Sequence, residues 1–519
     1  MKKIKIISTA IALAMITSMS SLASFSYSKG DANNDGKVNV RDCAYIANKL
    51  AAGKASSLPS EADYNSDGKI NVRDAANLAS DLAKGKVISP IVTPSTSFEY
   101  KGSLPTDGDK MTVLCWTDED LSVMLDTWSK AENIDPSKIN FKNFQTGGGE
   151  ASAQYDQYFL SGEDVDMFMV EPDWALKYIN DDTATAPLSA LGFTANDFSD
   201  NYDYTLELGK STVNGDLKAV SYNPSPGGWC YRTDLAKKYL GVNTPEEMQT
   251  MVSDWDKFQS TAQKVSISSN GKTALTTTLS GVWQAFSGSR TTPWVKNNKL
   301  NVDSFCNEFI SLAKNMKSNN YVTDYYSWSS DWWSVGQTDE TMGYFVSTWG
   351  FGDSILETAA GGIGGKTYGK WNVCQGPTPY FWGGTWICAS PKTDNADMVA
   401  SFIDYFTINK DTMKYYFTEK NAKSSYNEFV NSQTIMQEIA EKEEYKNPVL
   451  GGQSEIFVLH EVAKNINIKN TITTYDSDIN IAFLNAVNKY CSGSITNEKE
   501  CIEEFKKNVL EYYPAIQTN

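Results

Sequence analysis

Two twelve-residue stretches, DANNDGKVNVRD from Asp31 and DYNSDGKINVRD from Asp63, carry oxygen-bearing residues at the same steps. In the first, positions 1, 3, 5, 9 and 12 are Asp31, Asn33, Asp35, Asn39 and Asp42. In the second they are Asp63, Asn65, Asp67, Asn71 and Asp74. Gly36 and Gly68 stand at position 6, where so short a loop must turn sharply, and Lys37 and Lys69 at position 7 offer a backbone carbonyl. Carboxylate, amide and carbonyl oxygens without nitrogen or sulfur suit a hard cation, and this spacing suits Ca²⁺. Position 12 is Asp in both copies. Its side chain is shorter than the usual Glu, so each loop must close more tightly around its ion.

Each loop has to be held by a helix. Cys43, Ile46, Ala47 and Leu50 form one apolar stripe after the first loop, and Ala75, Leu78, Ala79 and Leu82 form another after the second. Residues 31–54 and 63–86 are a duplication, identical at 15 of 24 positions. No apolar-periodic helix leads into the first loop. Two EF-hand-type loops, each followed by a helix and lacking the entering one, resemble a dockerin over residues 29–86. The resemblance implies two bound Ca²⁺ ions and, as partner, a cohesin module of a scaffoldin. In that family loop positions 10 and 11 help select the cohesin; here they are Val40 and Arg41, and Val72 and Arg73. The same pair in both repeats implies two binding orientations related by a half-turn.

The remaining chain offers little catalytic signature. There is no G-x-S-x-G and no H-E-x-x-H, and His460 is the single histidine, which speaks against histidine-based triad chemistry. His460, in FVLHEVAKN, is expected on a helix surface. With 63 acidic residues, carboxylate pairs of the kind glycosidases use are always available, so their presence alone means nothing. The company dockerins keep makes a cellulosomal glycoside hydrolase the alternative to a binding protein.

A second resemblance covers 111–519. YFLSGEDVDMFMVEPDWALKYI (158–179), LKAVSYNPSPGGWCYRTDLAKKYLG (217–241), ETMGYFVSTWGF (340–351), WGGTWICASPKTDNADMVASFIDYF (382–406) and YCSGSITNEKECIEEFKKNV (490–509) are similar, in this order, to blocks of bacterial extracellular solute-binding proteins of the sugar-binding family 1 type. The resemblance implies a bilobal α/β, periplasmic-binding-protein-like fold with a hinge, closing over an oligosaccharide. It places Trp116, Asp118, Glu171, Asp173, Trp174, Ser225, Trp229, Trp349 and Trp386 at the ligand. SWSSDWWSVG is a further candidate cleft loop, although Trp332 and Trp333 suit packing equally. The implied protein is not an enzyme, and an ABC permease is a further implied partner.

Composition agrees with this outline. Short apolar runs such as MTVLCW and VDMFMV read as buried strands, and DMVASFIDYFT and NEFISLAKNMK as helices, an α/β alternation. Residues 87–110, rich in Pro, Ser, Thr and Gly, read as a linker. Aromatic residues make up 12% of the chain, and flat rings stack on sugar C–H faces. The eight cysteines are scattered without a metal pattern, most of them expected as buried thiols. Cys491 and Cys501 are left as a possible pair.

Residues 1–28 join Lys2, Lys3 and Lys5 to an apolar run and the small residues SSLAS, the form of a secretory signal peptide. No cysteine precedes Cys43, so a lipid anchor is not expected, and the dockerin is expected to take its place. Without the signal the net charge is about −20, which disfavours nucleic acid and anionic membrane surfaces. No later run approaches ~18 apolar residues, so no direct membrane insertion is expected. The expected location is extracellular, on a cellulosome or at the cell surface through the scaffold.

Overall fold

The computed structural model describes residues 29–33, 38, 40–84, 94–117, 121–423, 429–442 and 445–518. The signal segment, Asp35, Lys37, Asn39 and Asp118 lie outside them. The chain forms two compact units that divide between Val92 and Thr93.

In the small unit, helices Val40–Ala51 and Val72–Ala83 begin at loop position 10 of each repeat. Asn71 caps the second by accepting from the Arg73 amide at 3.0 Å, while Asp74 reaches back to the Asn71 amide at 2.8 Å. This reciprocal pair satisfies amides that the first helical turn leaves unpaired. Asp42 and Asp74 are fully buried. Ile46 and Leu78 are fully buried between the helices, joined by Cys43, Ala75, Leu58 and Ala62. Ala47 and Ala79, expected on the buried stripes, are exposed. So thin a core buries little apolar surface, and its polar loops must be held by something else.

The large unit is built on two sheets. The first sheet takes β1 (Met111–Cys115), β2 (Ile139–Asn143), β3 (Met167–Val170), β4 (Ala219–Asn223) and β10 (Thr385–Ala389) in the order β2-β1-β3-β10-β4. β1 runs parallel to β2 and β3, and β10 runs antiparallel to β3 and β4. A separate short hairpin joins β6 (Val295–Lys296) to β7 (Lys299–Leu300). The second sheet sets β5 (Gly227–Arg232) between β8 (Gly343–Ser347) and β9 (Trp371–Cys374), antiparallel to both. Chain crossings at 224–226 and 375–384 join the sheets, giving the two lobes.

Both faces of both sheets are apolar, because side chains alternate sides along a strand. Met167 and Met169 of β3 face a large central core, while Phe168 and Val170 face the helices Gly148–Ser161 and Pro172–Ile179. In the second sheet Cys230, Tyr344 and Val373 join the central core, and Trp229, Tyr231, Phe345 and Cys374 face the opposite one. The expected strands and the helices Ser304–Ser318 and Ala396–Thr407 form where the periodicity puts them. None of the eight cysteines forms a disulfide, so Cys491 and Cys501 do not pair.

Two further expectations change. Residues 94–110, read as linker, dock on the large unit: the Ser103 and Gly108 amides donate to the Ala190 and Asp394 carbonyls, both at 2.8 Å. Phe98 packs on Phe193 with ring centres 5.6 Å apart. His460 is buried, not on a helix surface, and its Nδ1 pairs with the Tyr202 hydroxyl at 2.7 Å. On helix Glu455–Asn465, Ile456, Leu459, His460 and Ala463 share one buried face, the i, i+3, i+4, i+7 spacing of an apolar stripe. Burial holds the His460 pKa below its ordinary value.

Trp229 is fully buried, stacked on Tyr231 at 5.7 Å. Trp229→Ala should therefore cost about 3–5 kcal/mol of folding stability, read as a lower urea midpoint; an unchanged midpoint would show that this face of the sheet is not closely packed.

Candidate functional site

The site forms where the two crossings meet. Trp382, just before β10, donates its amide to the Ser225 carbonyl at 3.0 Å, and the Trp349 indole N–H donates to the Trp382 carbonyl at 2.9 Å. Gly383 and Gly384 follow with φ of +72° and +104°, a region that disfavours side chains. A Cβ on Gly383 would lie 3.2 Å from Trp349 Nε1 and 3.9 Å from Glu171 Oε1. Gly383 thus lets the Glu171 carboxylate and the Trp349 ring approach the same backbone.

A cavity of about 160 Å³ opens here, room for about five waters at roughly 30 Å³ each. Glu171 and Asp173, from the turn after β3, line it beside Trp382, Arg290, Trp283 and Asp476. Glu171 precedes helix Pro172–Ile179, and its carbonyl accepts from the Trp174 and Ala175 amides. Arg290 lies flat over Trp294, its guanidinium carbon 3.5 Å from the ring centre. Its Nε donates to the Thr292 carbonyl at 2.6 Å, while both terminal nitrogens are buried without a hydrogen-bond partner among the described residues. Asp476 opens helix Asp476–Cys491 and accepts from the Thr473 hydroxyl at 2.5 Å.

The carboxylates feel their confinement. Burial, then repulsion from Asp173, raises Glu171 to about 7. Asp173 is open to solvent inside the cavity but walled by protein on most sides, which raises its pKa as well. Burial raises Asp476 to about 6 against the opposing pull of Arg290, and burial lowers Arg290 to about 10. The cavity therefore offers acceptors, a cationic donor and indole surface together, the combination that recognises a molecule rich in hydroxyls.

Of the ligand positions expected from sequence, Glu171 and Asp173 line the cavity and Trp349 stands behind Gly383. Trp116 and Trp174 pack edge-to-face at 5.6 Å within the first lobe, bracing the turn that carries Glu171. Ser225 is buried at the crossing with φ +48°, its hydroxyl on Asn223 Oδ1 at 2.9 Å. Trp229 and Trp386 are fully buried; Trp386 Nε1 donates to the Thr205 carbonyl at 2.8 Å. These three shape the cores and the crossing and do not reach the cavity. Arg290, Trp283, Trp382 and Asp476 were missed. Trp382 had a signal, since it opens the WGG that ends the crossing; Arg290, in an aperiodic loop, had none.

In the small unit the second loop is wound around its own oxygens. Asp63 accepts from the Asp67 and Gly68 amides at 3.2 and 2.9 Å, Asn65 from the Asp67 amide at 2.9 Å, and Asp74 from the Asn65 amide at 3.1 Å. Gly68 makes the turn at φ +80°. In the first loop Asp42 accepts from the Ala32 and Asn33 amides at 2.9 and 3.2 Å. Hard oxygen donors on a loop anchored this way fit calcium. Val40 and Val72 are 73% and 70% exposed, with Arg41 and Arg73 exposed beside them.

The confined Glu171 makes stability depend on pH. Between its ordinary 4.5 and about 7, the unfolded chain releases a proton that the folded chain keeps, so stability present below this window is lost as pH rises through it. Glu171→Gln should match the parent near pH 4 and exceed it near pH 8 by about 1 kcal/mol, discounted for solvent screening. Melting curves across that range check this, and an equal difference at both ends would contradict it.

A family model for bacterial extracellular solute-binding protein matches residues 130–428, and one for the dockerin type I domain matches 29–83. No curated protein matches. A solved extracellular solute-binding protein family 1 structure superposes with TM-score 0.65 at 16% identity, covering 78% of this chain and all of that one. The galacto-N-biose-/lacto-N-biose I-binding protein of an ABC transporter from Bifidobacterium longum, in complex with lacto-N-biose, gives 0.59 at 14% identity over 80% and 100%. The sugar-binding protein MalE of Xanthomonas citri gives 0.60 at 12% over 78% and 98%. Such proteins are not enzymes, dockerin type I domains bind calcium, and among the described residues no helix is long and apolar enough to cross a membrane. With its family model spanning more than half of the sequence, behind a dockerin type I domain, the chain belongs to the bacterial extracellular solute-binding proteins.

Proposed function

We propose that this is a secreted, non-catalytic oligosaccharide-capturing protein, held on a cohesin-bearing scaffold by its calcium-loaded dockerin. The observation that carries the reading is the cavity at the crossing, where Trp382 stands among Glu171, Asp173, Asp476 and Arg290. An indole face packs against the C–H face of a sugar ring, and the charged groups bind its hydroxyls from the edge. Solved relatives described with lacto-N-biose and with β-1,6-galactobiose support a sugar as the ligand class.

The small unit would hold two Ca²⁺ ions. Asp31, Asn33, Asp35, Asn39 and Asp42 with the Lys37 carbonyl would hold one, and Asp63, Asn65, Asp67, Asn71 and Asp74 with the Lys69 carbonyl the other. Each ion would supply the cohesion that the thin core lacks. Val40, Arg41, Val72 and Arg73 would then meet the cohesin, and their duplication permits docking by either helix. On a scaffold, a captured sugar stays at high local concentration. An ABC permease is the partner that would receive it.

Two expectations follow. Calorimetry of the calcium-loaded chain with cello-, xylo- and manno-oligosaccharides should give saturable binding by at least one series, with no shortened sugar released. Trp382→Ala should weaken that binding about tenfold or more. Hydrolysis, or no heat with any sugar, would overturn the reading. On an immobilised cohesin, chelation should abolish binding, Val40→Asp or Val72→Asp alone should leave it largely intact, and the double substitution should remove it. Complete loss from one single substitution would contradict the two-orientation arrangement.

A further inference from the structure

The loop SWSSDWWSVG contains a tryptophan that neither the cavity nor the cores account for. Trp328 is 46% exposed, and its backbone sits at φ +70°, a conformation that is an outlier for a bulky residue. Nothing about packing alone requires a large ring to be held out in this way, and such strain persists only where the surroundings impose it.

The surroundings form a continuous row of indoles. Trp328 stacks on Trp349 with ring centres 5.9 Å apart and planes inclined by 19°. It meets Trp382, the cavity-lining ring, at 6.0 Å. Trp332, buried beneath, supports it at 5.2 Å. The preceding residue anchors the loop: the Ser327 hydroxyl is 2.7 Å from that of Ser280 and 3.0 Å from that of Thr278. An exposed indole is thereby fixed one ring beyond the cavity, beside the hydroxyl of the exposed Ser280, which can pair with a polar ligand. Tyr326, two residues earlier, is 86% exposed and extends the aromatic surface.

We infer that Trp328 forms a second sugar subsite outside the cavity, so that the ligand is a chain whose end lies against Trp382 and whose later units stack on Trp328. This deepens the sugar-capture reading and rests on it. The site would select by length: a short sugar fills the cavity alone, while a longer one gains the Trp328 surface. Stacking on an aromatic face tolerates many sugars, so length matters here more than identity.

The test is a length series. Within the cello-, xylo- or manno-series that binds, the full calcium-loaded chain is titrated with members from the disaccharide to the hexasaccharide. Affinity should rise about tenfold or more with length, and Trp328→Ala should remove that rise while Trp328→Phe keeps most of it. Disaccharide affinity measured on the same variants reports whether the cavity itself is intact. Affinity independent of length in the parent chain overturns the subsite and leaves sugar capture standing. A Trp328→Ala chain that loses affinity equally at every length also overturns it, because the residue would then only support the cavity. Failure of every sugar to bind the parent overturns capture and subsite together.

Discussion

The site depends on how the chain crosses between its two sheets. At one point the Ser225 carbonyl receives the Trp382 amide, and the Trp382 carbonyl receives the Trp349 indole N–H. The first bond ties the outgoing crossing to the returning one, and the second ties both to the end of β8. Both rest on backbone that only small residues or strained ones adopt, with Ser225, Gly383 and Gly384 all at positive φ. Once this junction is made, Trp382 has little freedom, and Glu171 arrives beside it from the end of β3. The wall of the cavity is thus assembled from four separate stretches of chain.

The same junction explains the electrostatics. Carboxylates from both sides of the cavity are kept where water is scarce, and Glu171 and Asp476 are both pushed up as a result. Arg290 offsets this in part, but its terminal nitrogens have no acceptor among the described residues. Donors without a protein acceptor and carboxylates with raised pKa are groups that the protein itself does not fully balance. A hydroxyl-rich ligand would relieve both, since each hydroxyl donates and accepts. The small unit solves an analogous problem, with converging oxygens around a thin core that call for a cation.

Much of the architecture was legible because periodicity is local. The alternation in MTVLCW and VDMFMV marks strands covered on both faces, and the repeated D-x-N-x-D-G spacing marks the loops without any tertiary information. His460 is expected on a helix surface, although its spacing from Ile456, Leu459 and Ala463 sets it on the apolar face. The cavity was only half legible. Glu171 and Asp173 follow directly from the strand before them, whereas Arg290 is brought to Asp476 from nearly two hundred residues away. Trp229, Trp349, Trp382 and Trp386 look alike in sequence, and only the register of β5 and β10 and the end of β8 decide which of them is buried.

In the proposed function, Trp382 and the charged groups around it hold a sugar at the crossing. A crystal structure of the calcium-loaded chain with a bound oligosaccharide tests this most directly. It should show a pyranose ring against the Trp382 face, with hydroxyls within ~3.2 Å of Glu171 or Asp173 and of the Arg290 terminal nitrogens. A sugar bound elsewhere while this cavity holds only water would contradict it.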